Sequence, residues 1–288
     1  MRWLRYAAAD GPRMAVLQGT QVHDLTGLHA DLHADLRDGM DWLHLTAGQR
    51  AALAARALAG PGVAVDGLQL LTPLARPGKL VCLGLNYADH AAEGGHKAPE
   101  YPAFFMRGAT SLLAHGAPLM RPKCSDRLDY EAELAVIIGS PARHRTLDDA
   151  LACVGAYSVF NDGTLRDYQR KSSQWTIGKN FDHTGPFGPW AVSPDELPPG
   201  ASGLRIQSRL NGQVMQDSNT ERMIISVARA IVLLSECLTL EVGDVIAMGT
   251  PAGVGYARTP PVFMKAGDRI EIDIEHIGVL SNPIEDEA

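Results

Sequence analysis

The sequence predicts an α+β protein: a β-rich larger domain over residues 76–288, preceded by a small α/β domain over residues 1–75. Three observations point there. Short apolar runs bounded by turn residues outnumber helical stretches. A single long amphipathic segment stands among them, so the regular strand–helix alternation of a βαβ array is missing. Pro73, Pro77 and Gly78 punctuate the chain immediately before a new apolar run, which sets the domain boundary near residue 75.

In chain order, runs at 3–7, 14–18 and 21–25 read as strands, and the alanine-rich stretch 47–59 reads as a helix. His23, His29, His33 and His44 match no common zinc spacing and are expected at surface or turn positions. The run 79–84 opens the larger domain. Further strands are expected at 133–138, 155–160, 204–214, 244–248 and 268–280. A helix is expected over 220–238, begun by the polar cap around Asn219 and carrying Met223, Ile224, Val227, Ile231, Leu234 and Leu238 as its core-facing stripe.

Composition limits the functions available. The 288 residues are 45% hydrophobic and 20% charged, as in an ordinary folded protein, and a net charge of -7 argues against a nucleic-acid partner. No apolar run reaches membrane-spanning length and the first residues lack a signal-peptide core, so a cytoplasmic protein with no membrane association is expected. Cys82, Cys124, Cys153 and Cys237 lie far apart without CxxC spacing and are read as thiols, with Cys82, Cys153 and Cys237 filling core.

The chemistry concentrates in a few places. Glu131 and Glu133 are separated by one residue at the head of an apolar strand, so their side chains share a face with α-carbons roughly 7 Å apart. Two anions so close in a partly dry site call for a cation between them. Asp162, at the end of the strand 155–160, supplies a third oxygen ligand, a set that suits Mg²⁺ or Mn²⁺, with Ca²⁺ as a further candidate, rather than zinc. The alternative is that Asp162 only caps the next helix and the glutamates face solvent.

His90 and Glu93 are three residues apart, close enough on a short helix for the carboxylate to orient the imidazole as a general base. Gly94 and Gly95 would let that piece move as a lid. A surface ion pair is the competing reading. Lys179, in Thr176-Ile177-Gly178-Lys179, either enters a pocket to stabilise an oxyanion or snorkels at the surface. The glycine-rich stretch 249–255 offers backbone donors and the Thr250 hydroxyl to a carboxylate and lacks the ending of a phosphate loop.

In this order NYADHxxE, YEAELAVIIG, NDGTLRDYQ, TIGKNFD and GTPAGVG closely resemble the fumarylacetoacetate hydrolase family, over residues of about 78–284. The resemblance implies a mixed β-sandwich roll, a homodimer, and Mg²⁺ or Mn²⁺ held by Glu131, Glu133 and Asp162. It implies a catalytic His90–Glu93 dyad with Lys179, and substrate contacts from Arg107, Gln169 and Thr250. The animal enzymes' earlier metal-binding aspartate has no clear match, with Asn86 or water standing near its place. That favours the smaller bacterial pattern, a hydrolase cleaving a carbon–carbon bond in a 2,4-dioxo acid to release pyruvate or a related 2-oxo acid. A 2-oxo acid decarboxylase, a hydroxymuconate-type isomerase and a catalytically silent metal-stabilised protein are the alternatives. Trp175, Trp190 and Tyr168 are further candidates for the pocket wall.

Overall fold

The structure, a computed structural model, describes residues 1–28, 38–95 and 101–288, so His29 and His33 lie outside the described residues. The N-terminal segment forms β1 (Arg2–Ala8), β2 (Gly11–Gln18), β3 (Gln21–Asp24), α1 (Asp41–His44), α2 (Ala47–Leu58), β4 (Val63–Ala64) and β5 (Leu70–Leu71). β6 (Leu80–Gly84), α3 (Ala88–Glu93), β7 (Ala103–Arg107), β8 (Leu112–Leu113), β9 (Leu119–Arg121) and β10 (Leu128–Asp129) follow. The middle holds β11 (Ala132–Ile138), β12 (Val154–Asn161), β13 (Thr164–Leu165), α4 (Arg166–Gln169), α5 (Thr176–Lys179) and β14 (Gly185–Val192). The last third contributes β15 (Arg205–Leu210), β16 (Gln213–Asn219), α6 (Val227–Cys237), β17 (Val245–Ala247), β18 (Arg269–Ile274) and β19 (Gly278–Asp286).

A twelve-stranded sheet runs in the order β4-β3-β2-β1-β14-β12-β11-β17-β6-β7, with β5 added beside β1 and β8 beside β14. A five-stranded sheet, β16-β15-β18-β19-β9, packs against it, and β10 pairs with β13. The N-terminal strands continue the large sheet through the antiparallel β1–β14 pair. The architecture is thus β-rich, mixed and α+β, as the sequence predicts.

β11 shows why the apolar runs are nearly unbroken. Leu134, Val136 and Ile138 join Ile206, Ile270, Ile272 and Leu280 of the smaller sheet. On the opposite face, Ala135 and Ile137 join the core that holds Trp42, Leu43 and Leu53 of the helices, where Trp3 and Trp42 stack at 4.9 Å. A strand buried on both faces has no solvent side, so a carboxylate within it costs several kcal/mol unless it finds a partner. Glu133 is such a residue.

Several elements differ from the sequence expectation. The run 204–214 is a hairpin, because Asn211 and Gly212 take left-handed conformations (φ 52° and 79°) that close a two-residue turn. The run 268–280 likewise folds back, with His276 at φ 62°. The helix expected from residue 220 begins at Val227. Asn219 caps only a short 3₁₀ turn, Thr220–Arg222, and the amides of Ile224 and Ile225 then donate to Asn86 O (2.8 Å) and Oδ1 (2.7 Å). These tertiary bonds hold 223–225 out of the helix, and the chain restarts at Ser226, whose hydroxyl accepts from Arg229 N at 3.3 Å. Ser226→Ala is expected to cost about 1 kcal/mol in urea unfolding; an unchanged midpoint would remove the cap from the account.

His23 is buried in β3 rather than at the surface or in a turn, while His44 is exposed at the end of α1. All four cysteines are free thiols, and Cys237 is exposed rather than in the core, its Sγ turned to Leu234 O at the helix end.

Candidate active site

Glu131, Glu133 and Asp162 converge where β11 begins and β12 ends. Their side chains are buried and one oxygen from each lies within 4.8 Å of the others; among the described residues no other group of acids, histidines or cysteines meets that condition. The backbone enforces the meeting. Asp162 N donates to Glu131 O at 3.0 Å, and Glu131 N donates to the Asn161 side chain at 2.9 Å. Glu133 Oε2 accepts from Gly249 N at 2.9 Å. Gly249 has φ +85°, and a β-carbon there would stand 2.7 Å from Asn86 Cβ, so this donor position requires glycine. Asp162 does not cap α4, whose preceding residue makes no side-chain cap bond.

Lys179, fully buried, places Nζ 2.8 Å from Glu131 Oε2 and 2.5 Å from Asp162 Oδ2. It gets there because Gly178 lets α5 press onto α4: a β-carbon at Gly178 would lie 2.4 Å from Gln169 N. Arg166 reaches the same cluster from α4. Its Nε donates to Asp129 Oδ2 at 2.7 Å and its Nη1 to Gln169 Oε1 at 3.0 Å. Nη2 stands 2.7 Å from Glu131 Oε1, an ion contact too bent to be a hydrogen bond.

The carboxylates feel different surroundings. Burial opposes ionisation of Glu131, but the charges of Lys179 and then Arg166 outweigh it and hold its carboxyl down to about 2. Glu133 is pushed well above the usual carboxylate range, by burial first and then by Asp162 and Glu131. Burial lowers and the same acids raise Lys179, and the acids win. An all-oxygen donor set with one uncompensated anion is what a hard divalent cation fits.

On α3, Glu93 Oε1 holds His90 Nδ1 at 2.9 Å. Its other oxygen accepts from Gly253 N at 2.9 Å, tying α3 to the 249–255 loop. Among the described residues no hydrogen bond is made to His90 Nε2, so that nitrogen is available for chemistry. Gly95 is left-handed (φ +75°), and 96–100 lie outside the described residues. The Thr250 hydroxyl accepts from Gln216 Nε2 at 2.7 Å, which leaves its own proton free to donate.

One cavity of about 360 Å³ has His90, Lys179, Gln169, Thr250 and all three carboxylates on its wall. Arg107 is placed differently from the other residues assigned there from sequence. It is buried behind Asp162, donating to Asp162 Oδ1 (2.6 Å), Gly163 O, Ser111 and Thr184, and it is not on the wall. Its contacts make it a brace for Asp162. Trp175 lines the cavity, whereas Trp190 is engaged with Ile277 O at 2.6 Å and Tyr168 packs edge-on against Phe181. Asn86 spends its amide on Ile225 and Met248 and stands off the wall.

Sequence reasoning missed Arg166, Arg170 and Tyr256 on this wall. The signal for the two arginines was their four-residue spacing after Asp162, which puts both on one helical face.

A buried carboxylate triad, a lysine and an oriented histidine around one cavity are the equipment of an acid–base enzyme. The comparisons agree. Residues 79–285 match the model of the fumarylacetoacetate hydrolase C-terminal region. A mitochondrial oxaloacetate tautomerase from Xenopus laevis is 34% identical over 293 residues, spanning 99% of this chain and 90% of that protein. A fumarylacetoacetate hydrolase from Exiguobacterium antarcticum superposes with a TM-score of 0.85 at 32% identity, covering both chains fully. A maleylpyruvate hydrolase from Sphingobium, solved with manganese(II) and pyruvate, gives 0.82 at 27% identity, again over both full chains. The chain belongs to the fumarylacetoacetate hydrolase family, whose members are enzymes.

Proposed function

We propose that the protein is a metal-dependent enzyme that moves a proton at the carbon beside the oxo group of a small 2-oxo acid, with keto–enol tautomerisation of oxaloacetate as its reaction. The observation that carries this reading is the convergence on one cavity of the carboxylate cluster, Lys179 and the free Nε2 of His90. Glu131, Glu133 and Asp162 would hold Mg²⁺ or Mn²⁺, which when bound supplies Lewis-acid polarisation of the oxo group. Thr250 offers its hydroxyl proton to the substrate carboxylate. Lys179, whose Nζ donates to Glu131 and Asp162, would turn its remaining N–H to the oxygen on which negative charge grows, so its contribution would be larger in the transition state than in the ground state. His90 Nε2 takes the proton from C3 and returns it to the oxygen, giving the enol; the reverse path restores the ketone. With the metal bound, this reaction needs no side chain beyond those on the wall. The near full-length similarity to an oxaloacetate tautomerase supports it.

A second reading is hydrolysis of a 2,4-dioxo acid, supported by the likeness to a maleylpyruvate hydrolase over the whole chain. There His90 would take a proton from water, whose oxygen attacks the distant carbonyl; the C3–C4 bond breaks and C3 is then protonated. A substrate panel separates the two. Manganese-reconstituted protein is expected to accelerate the loss of enol absorbance from fresh enol-oxaloacetate without releasing carbon dioxide. Cleavage of acetylpyruvate or fumarylpyruvate in place of tautomerisation would install the second reading. Carbon dioxide release would mark a decarboxylase, and inertness toward the whole panel would sink both proposals.

A further inference from the structure

We infer that Arg170 selects the substrate class by receiving a second carboxylate, so that the cavity takes a 2-oxo diacid in preference to a 2-oxo monoacid. The inference rests on the 2-oxo acid reading above. Its basis is the distribution of cations around the cavity. Lys179 is paired with Glu131 and Asp162, and Arg166 with Asp129 and Glu131. Arg170 lines the same cavity, yet among the described residues it makes no ion pair or hydrogen bond through its side chain. Its guanidinium rests over the ring of Tyr256, with Cζ 4.7 Å from the centroid.

That ring also locates Arg170. Arg166 Cζ lies 4.3 Å from the same centroid, and the Arg166 guanidinium touches Glu131. Arg170 therefore shares one aromatic ring with a cation that touches the carboxylate cluster. Arg166 is buried and Arg170 exposed, which sets the direction: Arg170 marks the outer end. Their spacing of four residues brings both onto one face, and Asp129 anchors Tyr256 beneath them by accepting from Tyr256 N at 3.1 Å. A guanidinium resting on a held aromatic ring has less freedom to lose when an anion arrives. A diacid whose 2-oxo acid end occupies the inner cluster directs its other carboxylate outward, toward Arg170, which among the described residues is the wall cation that lacks an anion. A monoacid leaves that cation unused.

The test needs no turnover. Two probes differ in the group concerned: 2-oxoglutarate, and 2-oxopentanoate, which has a methyl in place of the far carboxylate. Calorimetric titration into manganese-reconstituted full-length protein is expected to show 2-oxoglutarate binding about tenfold or more tighter, the scale of one charge-assisted bidentate contact near a surface. In Arg170→Gln the ratio should fall toward one, and Arg170→Lys should keep part of it, since the charge remains and the fork is lost. A wild-type protein without preference, or a ratio unchanged in Arg170→Gln, overturns the assignment while leaving the 2-oxo acid reading intact. Failure of the wild-type protein to bind either probe overturns both.

Discussion

If the carboxylate triad holds a divalent cation as proposed, glutamine in place of Glu133 is expected to prevent its retention and abolish metal-dependent turnover while leaving the fold intact. The side chain is buried, accepts one hydrogen bond from Gly249, and has its ionised form opposed by burial, Asp162 and Glu131. Glutamine keeps the shape and an acceptor oxygen for Gly249 but removes the charge that a cation needs. Without metal, the exchange also removes a buried like-charge repulsion, so the variant should unfold at no lower urea concentration than chelator-treated wild type. Added Mn²⁺ should stabilise only the wild type, by about 2.7 kcal/mol at a free concentration one hundred times its dissociation constant. Elemental analysis after dialysis reads the metal directly, and wild-type metal content in the variant would end the ligand assignment.

Glu131→Gln should behave oppositely toward the fold. Its carboxylate neutralises Lys179 and Arg166 in the buried cluster, so removing it leaves cations short of a partner, a loss on the order of 3–5 kcal/mol. Two glutamates separated by a single residue are thus predicted to differ: one stabilises the cluster without metal, the other burdens it.

Much of this site was legible in the sequence because strand periodicity is a local property. Glu131 and Glu133 had to share a face, and Asp162 had to stand at a strand end. The apolar run that follows Glu133 likewise reads as a strand, and the structure covers it on both faces. What local pattern could not supply was partner choice across the fold. Asn86 draws the amides of Ile224 and Ile225 away from a helix that their periodicity favours. Arg107 reads from the resemblance as a substrate-binding cation, yet its side chain donates to Asp162, Ser111, Gly163 and Thr184 behind the cavity wall. Arg166 and Arg170 stand in the sequence, but their division into a cation with an anionic partner and one without such a partner among the described residues depends on Asp129 and Tyr256, distant in sequence. The hairpin at 204–214 is a different case: Asn211-Gly212 is a strong local turn signal, but the residues on both sides of it keep one alternation of apolar and polar side chains that reads as a single strand.

Removing the imidazole in His90→Ala is expected to lower kcat roughly a hundredfold or more on whichever substrate supports turnover, with metal content unchanged. Wild-type turnover would dismiss the dyad. Glu93→Gln tests the mechanism more finely, because it keeps the imidazole and changes only its tautomer. Glu93 now accepts on both oxygens, from His90 Nδ1 and from Gly253 N. A glutamine has one oxygen and one NH₂. The Gly253 amide can only donate, so it claims the oxygen and turns the NH₂ toward His90 Nδ1. Nδ1 must then accept, which drives the ring proton to Nε2, the nitrogen that has to be empty to act as a base. Glu93→Gln should therefore lose most of what His90→Ala loses, although every side chain in the cavity is still present. If Glu93 merely pinned α3 to the loop, the isosteric amide would serve nearly as well and kcat would stay within a few fold of wild type.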